Sequence, residues 1–458
     1  MSDSNPVSGQ PMTSGLTSYT CPGELYSIPR GIHLARLAAF YAKCQDCEHR
    51  FDTGQALSSN ELPRTAEHRT VRTTLLTDES VRGVYLNELD RNRALLWGEA
   101  LASSLWDQQP MIGRRAPTDN SQIIAEQTRV VHAAMPTVPT VVVGFDERPS
   151  SPDIVTGVVL GLRRMGCPVV DLGQTALPVV AFSVHALQAA AGLFVTGAGC
   201  DPSLTGFEFL ERGARPFPEA SLLELERLVK TGVGRQTRQI GSHHPQQGQS
   251  PYFATLESHF HALRPLRIVC GSVTRFLPRV LDQLFAKLPC TLTHVPLPTR
   301  RRNLFDARDV DLHRVATTVV EGNHHLGMLI DEDGRHAAFV TDRGRLVSPR
   351  EVARLLIEIT QREQRGAPFV VSSSLFHDAA KWLEGREARA IDGGESAADL
   401  VRLLMEHEAA MALSADGRVW FRDAYPACDA LLVLAHVLQA LSFSDTPFSD
   451  VVARISDD

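Results

Sequence analysis

Five residues near the amino terminus have the types and spacing of metal chemistry: Cys21, His33, Cys44, Cys47 and His49. The segment Cys44-Gln45-Asp46-Cys47 is a Cys-x-x-Cys unit that can offer two thiolates to one tetrahedral zinc, and Cys21 with either His33 or His49 completes four ligands. The other reading of the same residues is that Cys44 and Cys47 are plain thiols at the end of an amphipathic helix from His33 to Ala42. Further along, Cys200 has a nucleophile's sulfur, but no histidine lies near it in sequence to act as base. A small buried thiol is therefore the favoured reading of Cys200. The pairs His243-His244 and His324-His325 are read as surface residues rather than ligands, because adjacent side chains diverge on a helix or a strand.

The elements that must position the remaining chemistry begin at about Thr70 and read as repeated βα units. Thr140 to Phe145 is a β-rich apolar run, and Ser151-Pro152-Asp153 supplies a cap, a first-turn proline and a first-turn acid for a helix ending near Gly166. Short strands follow at Pro168 to Leu172 and Ala191 to Val195, separated by a helix over Pro178 to Ala189, and a polar linker from Gly234 to Ser250 closes the domain. A second series alternates Arg267 to Val273, Phe276 to Leu288, Leu292 to Leu297, Val310 to Glu321 and Leu326 to Asp331. A third opens with the cap Ser348-Pro349-Arg350-Glu351 and carries strands at Phe369 to Ser373, Ala388 to Ile391, Ala409 to Leu413 and Arg418 to Phe421. Alternation at this spacing implies mainly parallel sheets covered on both faces. The Asp416-Gly417 pair suits a hairpin turn.

Three loops in this frame resemble those of the α-D-phosphohexomutases, the phosphoglucomutase/phosphomannomutase family. Val195-Thr196-Gly197-Ala198-Gly199-Cys200-Asp201-Pro202, followed by Gly206-Phe207 and preceded by Val141 to Pro152, is similar to the family's first-domain loop Thr-Ala-Ser-His-Asn-Pro. The register places Ala198 at the phosphorylated serine and Gly199 at the histidine. No hydroxyl remains there to carry a phosphoryl group. Thr196 and Ser203 lie two and five positions away from that point, where in-line geometry would be lost. The family's metal loop, Asp-Gly-Asp-x-Asp-Arg, corresponds to Asp331-Glu332-Asp333-Gly334-Arg335-His336. The resemblance implies magnesium, for which Asp331 and Asp333 remain as hard oxygen ligands, but Arg335 stands at the third aspartate and His336 at the arginine. A guanidinium has only donors, so Arg335 is expected to replace the ion as counter-charge of Asp331 and Asp333. The bland reading is a solvated acidic turn.

The family's sugar loop, Gly-Glu-x-Ser-Gly-His, falls on Leu413 to Arg418 and keeps only Gly417. Ser414 takes the glutamate's place, Asp416 the serine's and Arg418 the histidine's. Gly393-Gly394-Glu395-Ser396 lies too early for this loop and reads as a helix start. The family's Asp-x-Arg survives as Asp146 and Arg148, which makes Arg148 a candidate anion contact. The sequence after Val452 is too short to supply the family's fourth, phosphate-clamping domain.

With 458 residues, 43% of them hydrophobic, the chain suits about three domains of ordinary size. Its net charge of −7 argues against a nucleic-acid surface and a polybasic membrane contact, and no apolar run approaches a membrane span. A polar N-terminus without a signal-peptide core makes cytoplasmic location the expectation. The resulting fold class is α/β: a Cys/His segment over 1–62, then three consecutive α/β/α domains with mixed, mainly parallel sheets over 70–233, 251–345 and 346–458. The function expected is that of a degenerate phosphohexomutase without mutase chemistry, with a binding or regulatory role toward a protein partner or a phosphorylated sugar. The alternative is a residual enzyme acting on a phosphorylated sugar through Asp331, Asp333, Arg335 and His336.

Overall fold

A computed structural model describes residues 18–38, 41–44, 47–50, 74–108, 138–235 and 237–457. The chain divides into two compact units, 1–74 with 86–88, and 75–85 with 89–458. In the first unit Ser18–Thr20 (β1) pairs antiparallel with Ser27–Pro29 (β2), placing Tyr19 opposite Ile28, and the helix Arg30–Ala38 follows directly. Tyr19, Cys21 and Ile28 make its small buried cluster. The helix begins three residues before His33, and Ala42–Cys44 is a separate 3-10 turn rather than the helix's last turn.

The second unit carries three sheets. The first contains Val81–Val84 (β3), Val141–Phe145 (β4), Val169–Gln174 (β5), Ala191–Val195 (β6), Leu204–Glu211 (β7) and His243–Pro245 (β8), in the order β3-β7-β6-β4-β5-β8. Its four neighbours from β6 to β8 run parallel, and β7 is antiparallel to both β6 and β3. Every residue of β6 is buried, as an uninterrupted apolar strand covered on both faces requires. β8 lies within the stretch expected to be a polar linker, and the helix Gln249–Glu257 starts at that stretch's end, so His243 and His244 stand exposed on an edge strand. The helix Ser151–Arg164 has Pro152 in its first turn, but Ser151 is not its cap: it is inside the helix, with its hydroxyl 2.5 Å from Asp146 Oδ1.

The second sheet comprises Arg267–Ser272 (β9), Thr291–Pro296 (β10), Leu326–Ile330 (β11), Ala337–Thr341 (β12) and Leu346–Val347 (β13), ordered β10-β9-β11-β12-β13. It therefore runs past Arg345, the expected end of that domain. The third holds Phe369–Val371 (β14), Ala390–Asp392 (β15), Met411–Leu413 (β16), Val419–Phe421 (β17) and Tyr425–Cys428 (β18), ordered β15-β14-β16-β17-β18. The two sheets share one plan: two parallel neighbour pairs, then two antiparallel ones. Ser348 and Glu351 close a capping box at the helix Pro349–Glu363. A single apolar core continues from Val142 and Phe194 through Ile268 and Met328 to Phe369 and Leu413, and so binds the three sheets into one body.

Helices Arg91–Asp107 and Ser151–Arg164 touch backbone to backbone at three glycines. A Cβ on Gly157 would lie 2.1 Å from the Arg91 carbonyl, one on Gly161 2.2 Å from that of Leu95, and one on Gly98 2.5 Å from that of Val158. No helix among the described residues is long and apolar enough to cross a membrane.

Candidate functional site

The loop after β6 turns at Gly199, where φ is +73°, and is held from below by two buried side chains. Asp146 accepts from the Gly197 amide at 3.1 Å and the Arg148 amide at 3.0 Å. Arg148 donates to the carbonyls of Cys200, Asp201 and Leu204 at 3.2, 2.9 and 3.0 Å, and to Glu332 at 3.0 and 2.5 Å. That uses every N–H of the guanidinium on the protein itself, so Arg148 acts as a brace between the loop and Glu332. Ala198 lies at the crest with its amide on Thr196 Oγ1 at 2.9 Å. Cys200 is half-buried, in contrast to the other seven cysteines, which are buried.

The loop between β11 and β12 brings Asp331, Asp333, Arg335 and His336 together, though not in the pairing expected, while its Glu332 pairs with Arg148. Arg335 donates to Asp333 Oδ2 through Nε at 2.8 Å and lies 2.7 Å from it through Nη2, and the same Nη2 reaches Glu208 at 3.3 Å. Asp331 is not bonded to Arg335; His336 Nδ1 meets its Oδ2 at 2.7 Å, and the Gly334 amide donates to its Oδ1 at 2.8 Å. Opposing burial, Arg335 holds the Asp333 carboxyl well below the usual carboxylate range. Burial, then the neighbouring Asp333, push the Asp331 carboxyl up.

One ligand atom each from Asp331, Asp333 and His336 lies within 4.8 Å of the other two. Magnesium asks for an octahedral shell of oxygens. Here the third donor is an imidazole nitrogen, and a guanidinium already occupies the second aspartate. The donor set does not fit that ion.

Glu208, on β7, has no counterpart in the sequence reading. Its carboxylate also bonds Arg82 of β3, whose other nitrogen donates to the carbonyls of Val81 and Phe207 at 3.0 and 3.2 Å. Arg82, Glu208, Arg335 and Asp333 thus form one chain of alternating charge across two sheets. The third loop makes a second chain. Ser414, Asp416, Gly417 and Arg418 form the β16–β17 hairpin turn, with Gly417 at φ +91° facing the Phe305 ring. Arg418 donates to Asp416 at 2.8 Å and pairs with Glu79, whose other oxygen accepts from the Ala397 amide at 2.9 Å. Ser396 holds the N-cap position of the helix Ala397–Glu406, as the sequence places it, but its hydroxyl makes no cap bond, and Glu79 accepts from the first-turn amide instead.

Where the metal-like and sugar-like loops meet, the space bounded by Glu79, Glu208, Arg335, Arg418 and Trp420 is about 40 Å³. That is on the order of one or two waters, against about 300 Å³ for small ligand pockets. A larger hollow of about 500 Å³ opens beside Arg148, lined by Glu147, Gln174, Arg275, Arg279 and Thr299. Glu147 closes one wall by accepting from the amides of Arg275 and Phe276 at 2.7 and 2.9 Å, at the start of the helix Phe276–Phe285.

In the N-terminal unit Cys21, Cys44 and Cys47 are all buried, and so is His33. The His33 ring stacks on Tyr19, centroids 4.0 Å apart and planes 7° from parallel, and His49 meets Tyr19 edge-on at 5.2 Å.

Residues 112–235 match the family model "Phosphoglucomutase/phosphomannomutase, alpha/beta/alpha domain I". A phosphomannomutase/phosphoglucomutase of Pseudomonas aeruginosa is 23% identical over 317 residues, 66% of each chain. A phosphoglucomutase of Neisseria meningitidis is 21% identical over 355 residues, 75% of each. The chain thus spans about two thirds to three quarters of the length of these relatives. Among solved structures, a phosphoglucomutase/phosphomannomutase family protein from Burkholderia thailandensis superposes with a TM-score of 0.72 at 21% identity, covering 84% of this chain and 80% of that one.

Proposed function

We propose that this chain, which belongs to the α-D-phosphohexomutase family, has left mutase chemistry and works as a non-catalytic binding or regulatory protein. The observation that carries this reading is Arg335, which joins Asp333 and Glu208 where the resemblance calls for a metal ion. Phosphoryl transfer depends on positioned charge stabilisation, and here the charges of the centre stabilise one another. Ala198 offers no nucleophile. Magnesium has no role in this reading. The binding partner is a protein, or a phosphorylated sugar held elsewhere; the 500 Å³ hollow, where Arg275 and Arg279 stand among Asp146, Glu147 and Glu332, has the size for the latter.

A residual enzyme acting on a phosphorylated sugar is the second reading, favoured by the closeness of Asp331, Asp333 and His336. Turnover of glucose 1-phosphate and mannose 1-phosphate, with magnesium and a bisphosphate activator, separates the two. The expected result is no turnover by the native chain and none by Ala198→Ser, since a restored hydroxyl would still lack its cation. Turnover that disappears in Asp331→Ala/Asp333→Ala would establish the second reading instead.

A further inference from the structure

We infer that Cys21, Cys44 and Cys47 are three thiolate ligands of a structural zinc ion that closes the N-terminal unit, with an imidazole, His33 or His49, as the fourth.

The apolar content of this unit is the first reason. Its buried cluster is Tyr19, Cys21 and Ile28, and its sheet is a pair of three-residue strands. A two-stranded hairpin is marginal alone in water, and folds this small are held by disulfides, metals or partners. The cysteines are free thiols, so a metal is the staple that the unit's own side chains can supply.

Local geometry is the second. Each of the three cysteines opens a tight turn in which the amide three residues on donates back to the cysteine carbonyl: Glu24 to Cys21 at 3.0 Å, Cys47 to Cys44 at 3.4 Å and Arg50 to Cys47 at 3.1 Å. Two segments far apart in sequence therefore present thiols from the same kind of turn. All three side chains are at most 7% exposed, and among the described residues of the unit only Tyr19, Ile28 and His33 are buried beside them. Arg36 Nη1 lies 3.0 Å from Cys21 Sγ, placing positive charge where a thiolate gains from it. The sulfurs are not gathered within the 4.8 Å that Asp331, Asp333 and His336 show, so the ion would draw the Cys44 turn and Cys21 together. The histidines are near: His33 and His49 both pack on Tyr19, two residues before Cys21.

Binding replaces three S–H protons by one Zn²⁺, releasing those protons to solvent without any change of oxidation state. The test is metal analysis of the full-length protein purified without added metal or chelator. About one zinc per chain is expected, falling to background in Cys44→Ser and Cys47→Ser and unchanged in Cys200→Ser. Because the serine variants could misfold, the native protein is also titrated with a mercurial, and zinc should leave as the three thiols react. Cobalt exchanged into the native protein should give sulfur-to-metal charge-transfer bands and tetrahedral d–d bands. Metal-free native protein that takes up no cobalt, zinc retained in both serine variants, or a Cys44–Cys47 disulfide in the purified protein would each overturn the assignment.

Discussion

Arg335 bridges a carboxylate of the β11–β12 loop and one of β7, so truncating it leaves Asp333 buried without its cation and Glu208 with Arg82 alone. Removing one partner of a buried pair costs about 3–5 kcal/mol, because the stranded charge keeps its desolvation penalty. Arg335→Ala should lower the urea midpoint by a corresponding amount, and a loss near the surface-pair range of under about 1 kcal/mol would mean that solvent reaches the chain of charges. Acid offers an independent check. The Asp333 carboxyl titrates lower in the folded protein than the unfolded value of about 4, so its contribution is present above that pH and fades as the pH falls below it. In Asp333→Asn the loss of stability between about pH 4 and pH 2 should be shallower than in the native chain. Asp331, raised by burial and by its neighbour, works in the opposite sense, which is why the asparagine is placed at 333.

At the level of elements, the glycines between helices Arg91–Asp107 and Ser151–Arg164 set the distance between the helices. Gly161→Val would drive its side chain into the Leu95 carbonyl and part the helices, costing about 1–3 kcal/mol by thermal or urea unfolding. Leu160→Ala, on the exposed face one residue away, should stay within about 0.5 kcal/mol. Sequence pattern located most strands and helices of the three α/β repeats because apolar runs such as Val141 to Phe145 and Ala191 to Val195 end at turn residues. It missed β7, read only as the continuation of a loop, and β8, whose His-His-Pro is exposed along its length and carries no apolar signal. The site was legible within each loop and opaque between loops. Asp331, Asp333, Arg335 and His336 could be brought together from spacing alone, whereas Glu208 is 127 residues from Arg335 and Glu79 is 339 from Arg418. No periodicity encodes such partners. Only the packing of three sheets on one core selects them, and it reassigned Arg335 from two aspartates to one aspartate and a glutamate.

Across the whole body, charged contacts and buried hydrogen bonds add to the apolar core that joins the sheets. Arg148 braces Glu332, Tyr252 and Tyr425 both donate to Asp429, and Ser449 donates to Asp342 at 2.7 and 3.0 Å. On the proposed reading Arg335 stands where a divalent ion would, and the centre gains nothing from one. Millimolar magnesium should leave the thermal midpoint of the native protein unchanged, since a ligand stabilises only by binding the folded state. A midpoint that climbs with magnesium concentration would show an ion competing successfully with Arg335. The chain of Arg82, Glu208, Arg335 and Asp333 also bears on how the molecule can change. Restoring an acid at 335 by itself would set a fourth carboxylate beside Asp331, Asp333 and Glu208 while stripping Arg82's partner of its second cation. Replacing Glu208 by itself would leave Arg335 short of charge. Each step back is worse than its start unless others are taken with it, because neighbours in one network do not add independently. The four side chains therefore tolerate exchange together and not one at a time.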